Sequence, residues 1–153
     1  MSQVHSWKIA AEKLIESKVQ PGFVIEKAWL CSQFGLTEPR NIAEYQQRAF
    51  EFLTDFERFR NYLLTEHKVA LQSVQGVGYR VVPPNEQADF AVQHYGKKIK
   101  KQLSSMGRTL TNIDLARLTD AEKASAAVQQ GKFVQLSMMV GGSKLLRSGN
   151  AKI

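Results

Sequence analysis

The chain has 153 residues, of which 43% are hydrophobic. That is enough to bury a real core, which excludes global disorder. Its single cysteine, Cys31, excludes an internal disulfide and fits a reducing compartment, the cytoplasm. No apolar run approaches about eighteen residues, so no membrane contact is expected, and residues 1–7 lack the apolar core of a signal peptide. The formal net charge is +7 and unevenly spread. Residues 1–40 carry five basic and four acidic side chains, 41–83 five of each, and 84–153 eleven and five. A basic excess attracts polyanions, mainly nucleic acid, and here it lies beyond residue 83.

Ser6 precedes the amphipathic pattern Trp7, Ile9, Ala10, Leu14, Ile15, which predicts an N-capped helix over 7–17. Pro21-Gly22 ends the connection, and Phe23-Val24 reads as a short strand. Ile25, Ala28, Trp29 and Gln33 set a second helix over 25–34, closed by Gly35. After a turn at Leu36–Arg40, Asn41 stands three residues ahead of Glu44, a capping-box-like start. Thr37 with Pro39 in the first turn is the alternative. Tyr45, Ala49, Phe52, Phe56, Phe59 and Leu63 follow at spacings alternating between four and three, widened by Phe50, Leu53 and Leu64. The pattern predicts a helix over 41–66, about 39 Å long. That is longer than a small domain needs, so its second half is expected to pack on the C-terminal helices or on a second subunit.

Residues 70–83 hold two β-favouring runs around Gly76-Val77-Gly78, a β-hairpin. A lone hairpin is unstable in water and must lean on the helices. Pro83-Pro84 stops its second strand and marks a boundary. A fourth helix is expected over 86–105, with Phe90, Val92, Tyr95, Ile99, Leu103 and Met106 roughly on one side and Gly107 ending it. Residues 111–117 hold a short helical turn. Thr119 and Glu122 form a capping box opening a last helix, and 133–140 fits either helix or strand. A small basic tail with Lys144, Arg147 and Lys152 follows Gly141 and is expected to be mobile.

Helix, helix, long helix, hairpin is the order of a winged helix. The expected fold is therefore mainly α with a small β-hairpin: a winged helix-turn-helix domain over 1–83, a helical basic region over 84–140 and a flexible tail over 141–153. The hairpin text Val74-Gln75-Gly76-Val77-Gly78-Tyr79-Arg80 also resembles the wing of the DNA-binding output domains of bacterial two-component response regulators, usually Val-Arg-Gly-Val-Gly-Tyr-Arg. The resemblance implies a wing beside DNA. The family's N-terminal sheet and receiver domain have no counterpart, and its wing arginine, which enters the minor groove, falls at Gln75.

In such a fold the start of the third helix faces the major groove. Arg40, Asn41, Gln47 and Arg48 are side-chain types that read base edges, although Glu44 and Glu51 would repel phosphates. At the wing, Gln75, the close-approach backbone of Gly76, and Arg80 are the expected contacts, with Tyr79 packed underneath. Lys97, Lys98, Lys100 and Lys101, spread over more than half of a helix circumference, are expected to meet phosphates without reading sequence. No metal, cofactor or catalytic site is expected. His5, His67 and His94 are far apart, no Cys/His spacing suits zinc, and Gly76-Val77-Gly78 lacks the rest of a dinucleotide loop. The expected function is a DNA-binding transcription regulator or replication accessory factor, a homodimer of phage or mobile-element type, with duplex DNA as partner. The alternative is an adaptor that binds a protein partner.

Overall fold

The computed structural model describes residues 4–142. The chain divides into two compact units, parting after Gln87. It is mainly helical with a small three-stranded antiparallel sheet. Among the described residues no helix is long and apolar enough to cross a membrane.

The first unit runs α1 (Ser6–Glu16), β1 (Val24–Glu26), α2 (Lys27–Gln33), α3 (Ile42–His67), β2 (Leu71–Val74) and β3 (Gly78–Val81). The strands lie in the order β1-β3-β2, so the chain returns through a hairpin that inserts its second strand against β1. Register is set by Ile25 opposite Tyr79 and Ser73 opposite Tyr79 on the other side. One core joins all six elements: Ala10, Ala11 and Leu14 from α1, Ile25 from β1, Leu30 and Cys31 from α2, Phe52, Phe56, Phe59 and Leu63 from α3, and Leu71 and Val81 from the hairpin. Tyr79 stacks on Phe56 with ring centroids 4.1 Å apart, so it lies under the hairpin as expected. Its burial pushes the phenol pKa above its usual value near 10.

Two local expectations are corrected and a third holds. His5, not Ser6, precedes α1, and no side chain caps that end. Ser6 is the first helical residue, and its hydroxyl donates to the Phe34 carbonyl at 3.4 Å instead. Ile25 belongs to β1 rather than α2, because pairing with β3 buries it to 2% exposure. Helical spacing at 25–33 could not reveal that partner. Gly35 does close α2: at φ +72° it donates to Ser32 O at 3.2 Å, and Leu36 N–H donates to Cys31 O at 3.0 Å. Those paired bonds form a Schellman motif.

α3 starts as its sequence predicts. The Asn41 side chain accepts from Glu44 N–H at 2.8 Å, while the Glu44 carboxylate accepts from Arg40 N–H at 2.7 Å. Its packing partner differs from the expected C-terminal helices or second subunit. The buried residues of α3 are Phe52, Phe56, Phe59 and Leu63, so the second half enters the core of its own unit. The first ten residues, 42–51, overhang that core. Tyr45 and Ala49, placed in the core stripe by their spacing, are exposed, as are Phe50 and Leu53. The repeat continues, but the elements that would cover it do not reach that far.

The second unit is a pair of long helices, α4 (Gln87–Thr111) and α5 (Asp120–Gly142), joined through a 3-10 turn at Leu115–Arg117. The Thr119 capping box forms: Glu122 N–H donates to Thr119 Oγ1 at 3.2 Å and Thr119 N–H to the Glu122 carboxylate at 2.8 Å. Residues 133–140 are helical. α4 runs through Gly107 instead of ending there, because that glycine is buried against α5. Of the basic tail, the cations Lys144, Arg147 and Lys152 lie outside the described residues, whereas Gly141 and Gly142 close α5.

Candidate nucleic-acid interface

The hairpin tip is a three-residue loop, Gln75-Gly76-Val77, between the paired residues Val74 and Gly78. Its two glycines serve different needs. Gly76 has φ +75° and open space around it, so the turn requires its backbone conformation. At Gly78 a Cβ would sit 2.0 Å from the Ile25 carbonyl oxygen, so β1 can pair there only if that side chain is absent. Gln75 is exposed, and with Gly76 it borders a hollow of about 400 Å³ whose floor includes Lys27. The sequence reading missed Lys27. Assigning 25–34 to one helix concealed that it begins α2 beside the hairpin, its Nζ 4.9 Å from the Phe52 ring centroid.

Arg80 does not reach outward unencumbered. Its guanidinium donates to Glu86 at 3.0 Å and to Gln72 at 3.4 Å. A phosphate would have to displace the Glu86 carboxylate.

At the start of α3, Arg40, Gln47 and Arg48 come together around one cleft of about 440 Å³, shared with Glu38, Glu44 and Glu51. Asn41 is committed to its cap, Gln47 donates to Glu51 at 3.0 Å, and Arg48 lies 3.9 Å from Glu38. The Arg48 Nε is buried without a hydrogen-bond partner. Three carboxylates against two guanidiniums make this cleft a poor seat for a polyanion.

α4 is different. It carries Lys97, Lys98, Lys100, Lys101 and Arg108, all exposed, and its one acid, Asp89, is in the first turn. At 3.6 residues per turn the four lysines fan over about 160°, with Arg108 inside that arc. They occupy one side, a tighter grouping than the spread expected from the sequence. Tyr95, Ile99, Leu103 and Met106 follow the opposite side. Lys98 Nζ also lies 5.4 Å from the Tyr95 ring centroid. The extra cation, Arg108, was legible as a charge but fell beyond the helix end assigned at Gly107.

No cluster of three or more His, Cys, Asp or Glu side chains able to hold a metal occurs among the described residues. His5 stacks on Trp7, His67 meets the edge of Tyr62, and His94 stacks on Phe90. Each is an aromatic packing position, and Cys31 is buried in the core. No family model matches the chain, and neither a curated protein nor a solved structure matches it significantly.

Proposed function

We propose that this chain is a non-enzymatic DNA-binding protein in which the first unit is a winged helix-turn-helix and the second unit supplies the main grip on duplex DNA. The winged-helix reading is supported by the element order α1-β1-α2-α3-β2-β3 and by the strand order β1-β3-β2. The DNA reading is carried by the basic side of α4. Lysines and arginine share one helix side, without an acid from Phe90 to Asn112. Such a surface neutralises phosphates and releases counterions whatever the base sequence. Base-edge readout contributes little, because Asn41, Gln47 and Arg80 already have partners within the chain. A regulator or replication accessory factor that relies on contacts of this kind binds DNA broadly and selects sites weakly.

Fluorescence anisotropy with a random duplex tests this reading. The triple substitution K97A, K98A and K101A should weaken binding at least tenfold, whereas R40A should change it less than threefold. Equal loss from both would divide the grip between α4 and the start of α3. No binding by the wild type at low salt would remove the DNA reading.

One observation favours the adaptor as a second reading. The overhanging part of α3 exposes Ile42, Tyr45, Phe50 and Leu53 beside an acid-rich cleft, a surface suited to protein rather than phosphate. Affinity capture from the native cell with nuclease treatment separates the two. Stoichiometric recovery of one protein after nuclease favours the adaptor, and loss of all co-purified protein favours the DNA reading.

A further inference from the structure

We infer that residues 42–53 of α3 form a two-fold docking surface for a second copy of this chain. Ile42 is 78% exposed, Tyr45 62%, Phe50 68% and Leu53 63%. At 3.6 residues per turn these four, with Gln46 and Ala49, fall within an arc of about 140°, while Glu44, Gln47 and Glu51 point the other way. The arc contains no charged side chain between Ile42 and Leu53. Tyr45 and Ala49 continue the line of the buried Phe52 and Phe56, and Ile42, Leu53 and Phe50 lie beside it, an apolar helix face left uncovered by its own unit.

A second copy fits because the face matches itself when reversed. In an antiparallel pair, Ile42 of each chain meets Leu53 of the other along the middle of the seam, the two Tyr45 rings lie along one edge and the two Phe50 rings along the other, and the small Ala49 lies near the centre. Ile42 and Leu53 are of similar size, and the small residue near the centre allows close approach. That is the isologous contact a two-fold axis requires. The four large side chains expose roughly 400–600 Å² per copy, taking about 150–250 Å² for a whole one. Two copies then bury at most about 1,000 Å², the lower limit of a specific interface. The dimer is accordingly weak, with a Kd on the order of 10–100 µM. It juxtaposes two first units without using the basic side of α4.

Sedimentation of the full chain without nucleic acid, from about 1 to 500 µM, tests the inference separately from DNA binding. The wild type should pass from monomer to dimer. I42E alone and L53K alone should remain monomeric, with melting temperatures near wild type because both positions are exposed. The double substitution I42E/L53K should restore the dimer, since the antiparallel register sets each Glu against the other chain's Lys. A wild type that stays monomeric throughout overturns the inference. So does a dimer that L53K leaves intact, or a double variant that stays monomeric although folded.

Discussion

The Phe133 ring of α5 occupies the space where a side chain on Gly107 of α4 would begin: a Cβ there would lie 2.6 Å from the ring's Cζ. The contact joins the two helices of the second unit through an aromatic ring set into a glycine notch. Gly107 lies about 100° around α4 from the line of Lys97, Lys101 and Arg108, so this contact leaves that line uncovered. In an isolated helix Gly→Ala is stabilising by about 1 kcal/mol. Here overpacking against the ring costs about 1–3 kcal/mol. The net effect of G107A is therefore expected to be a loss of between zero and about 2 kcal/mol in urea unfolding followed by helical circular dichroism, and F133L on the G107A background is expected to recover any loss.

The two hairpin glycines make a sharper pair. G78A forces a Cβ against the Ile25 carbonyl and the Glu26 backbone, neither of which is the movable end of a side chain. It is expected to cost about 3 kcal/mol or more by breaking the β1–β3 pairing. G76A meets no atom within 4 Å and carries only the strain of a positive φ, about 1–2 kcal/mol. Urea midpoints of the two variants compared with wild type measure the difference.

How much of this was legible in the sequence depended on whether the cause was local. Asn41 with Glu44, Thr119 with Glu122, and Gly35 after α2 each act within a few residues, and each forms as written. Ile25 and Gly107 were misassigned because their environments come from β3 and α5, distant in the chain. Tyr45 and Ala49 were misassigned for another reason. Periodicity marks which side of a helix is apolar but not where the covering elements stop. The same limit applied to the candidate site: the residue types at Arg40–Arg48 and Arg80 were readable, but their carboxylate neighbours across the cleft and after the hairpin were only partly so.

The first unit should lose stability at alkaline pH through two tyrosines. A hydrogen bond to the Glu12 carboxylate is the main cause that raises the Tyr62 pKa, with burial second. Burial is the main cause at Tyr79. Because both folded pKa values exceed the ordinary one near 10, the stability they contribute is present below pH 10 and lost as pH rises through the folded values. Y62F should be less stable than wild type at pH 8 and should show a shallower decline in urea midpoint between pH 9.5 and 11.5. An unchanged decline would assign the alkaline loss to other groups.

Glu86 holds the Arg80 guanidinium in a partly exposed ion pair, worth about 1 kcal/mol or less to stability. E86Q should therefore melt close to wild type. If Arg80 reaches phosphate once released, E86Q should bind duplex DNA several-fold more tightly at low salt, and E86Q/R80A should reverse the gain. Anisotropy titrations of the three proteins provide the comparison.

The most direct measurement of the central claim is the salt dependence of binding to a random duplex. If the basic side of α4 meets about four or five phosphates, log K should fall with log salt at a slope near −4, roughly 150- to 500-fold between 50 and 200 mM. K97A/K98A/K101A should reduce that slope by nearly three. A slope near zero, or a steep slope that the triple variant leaves unchanged, would contradict the account.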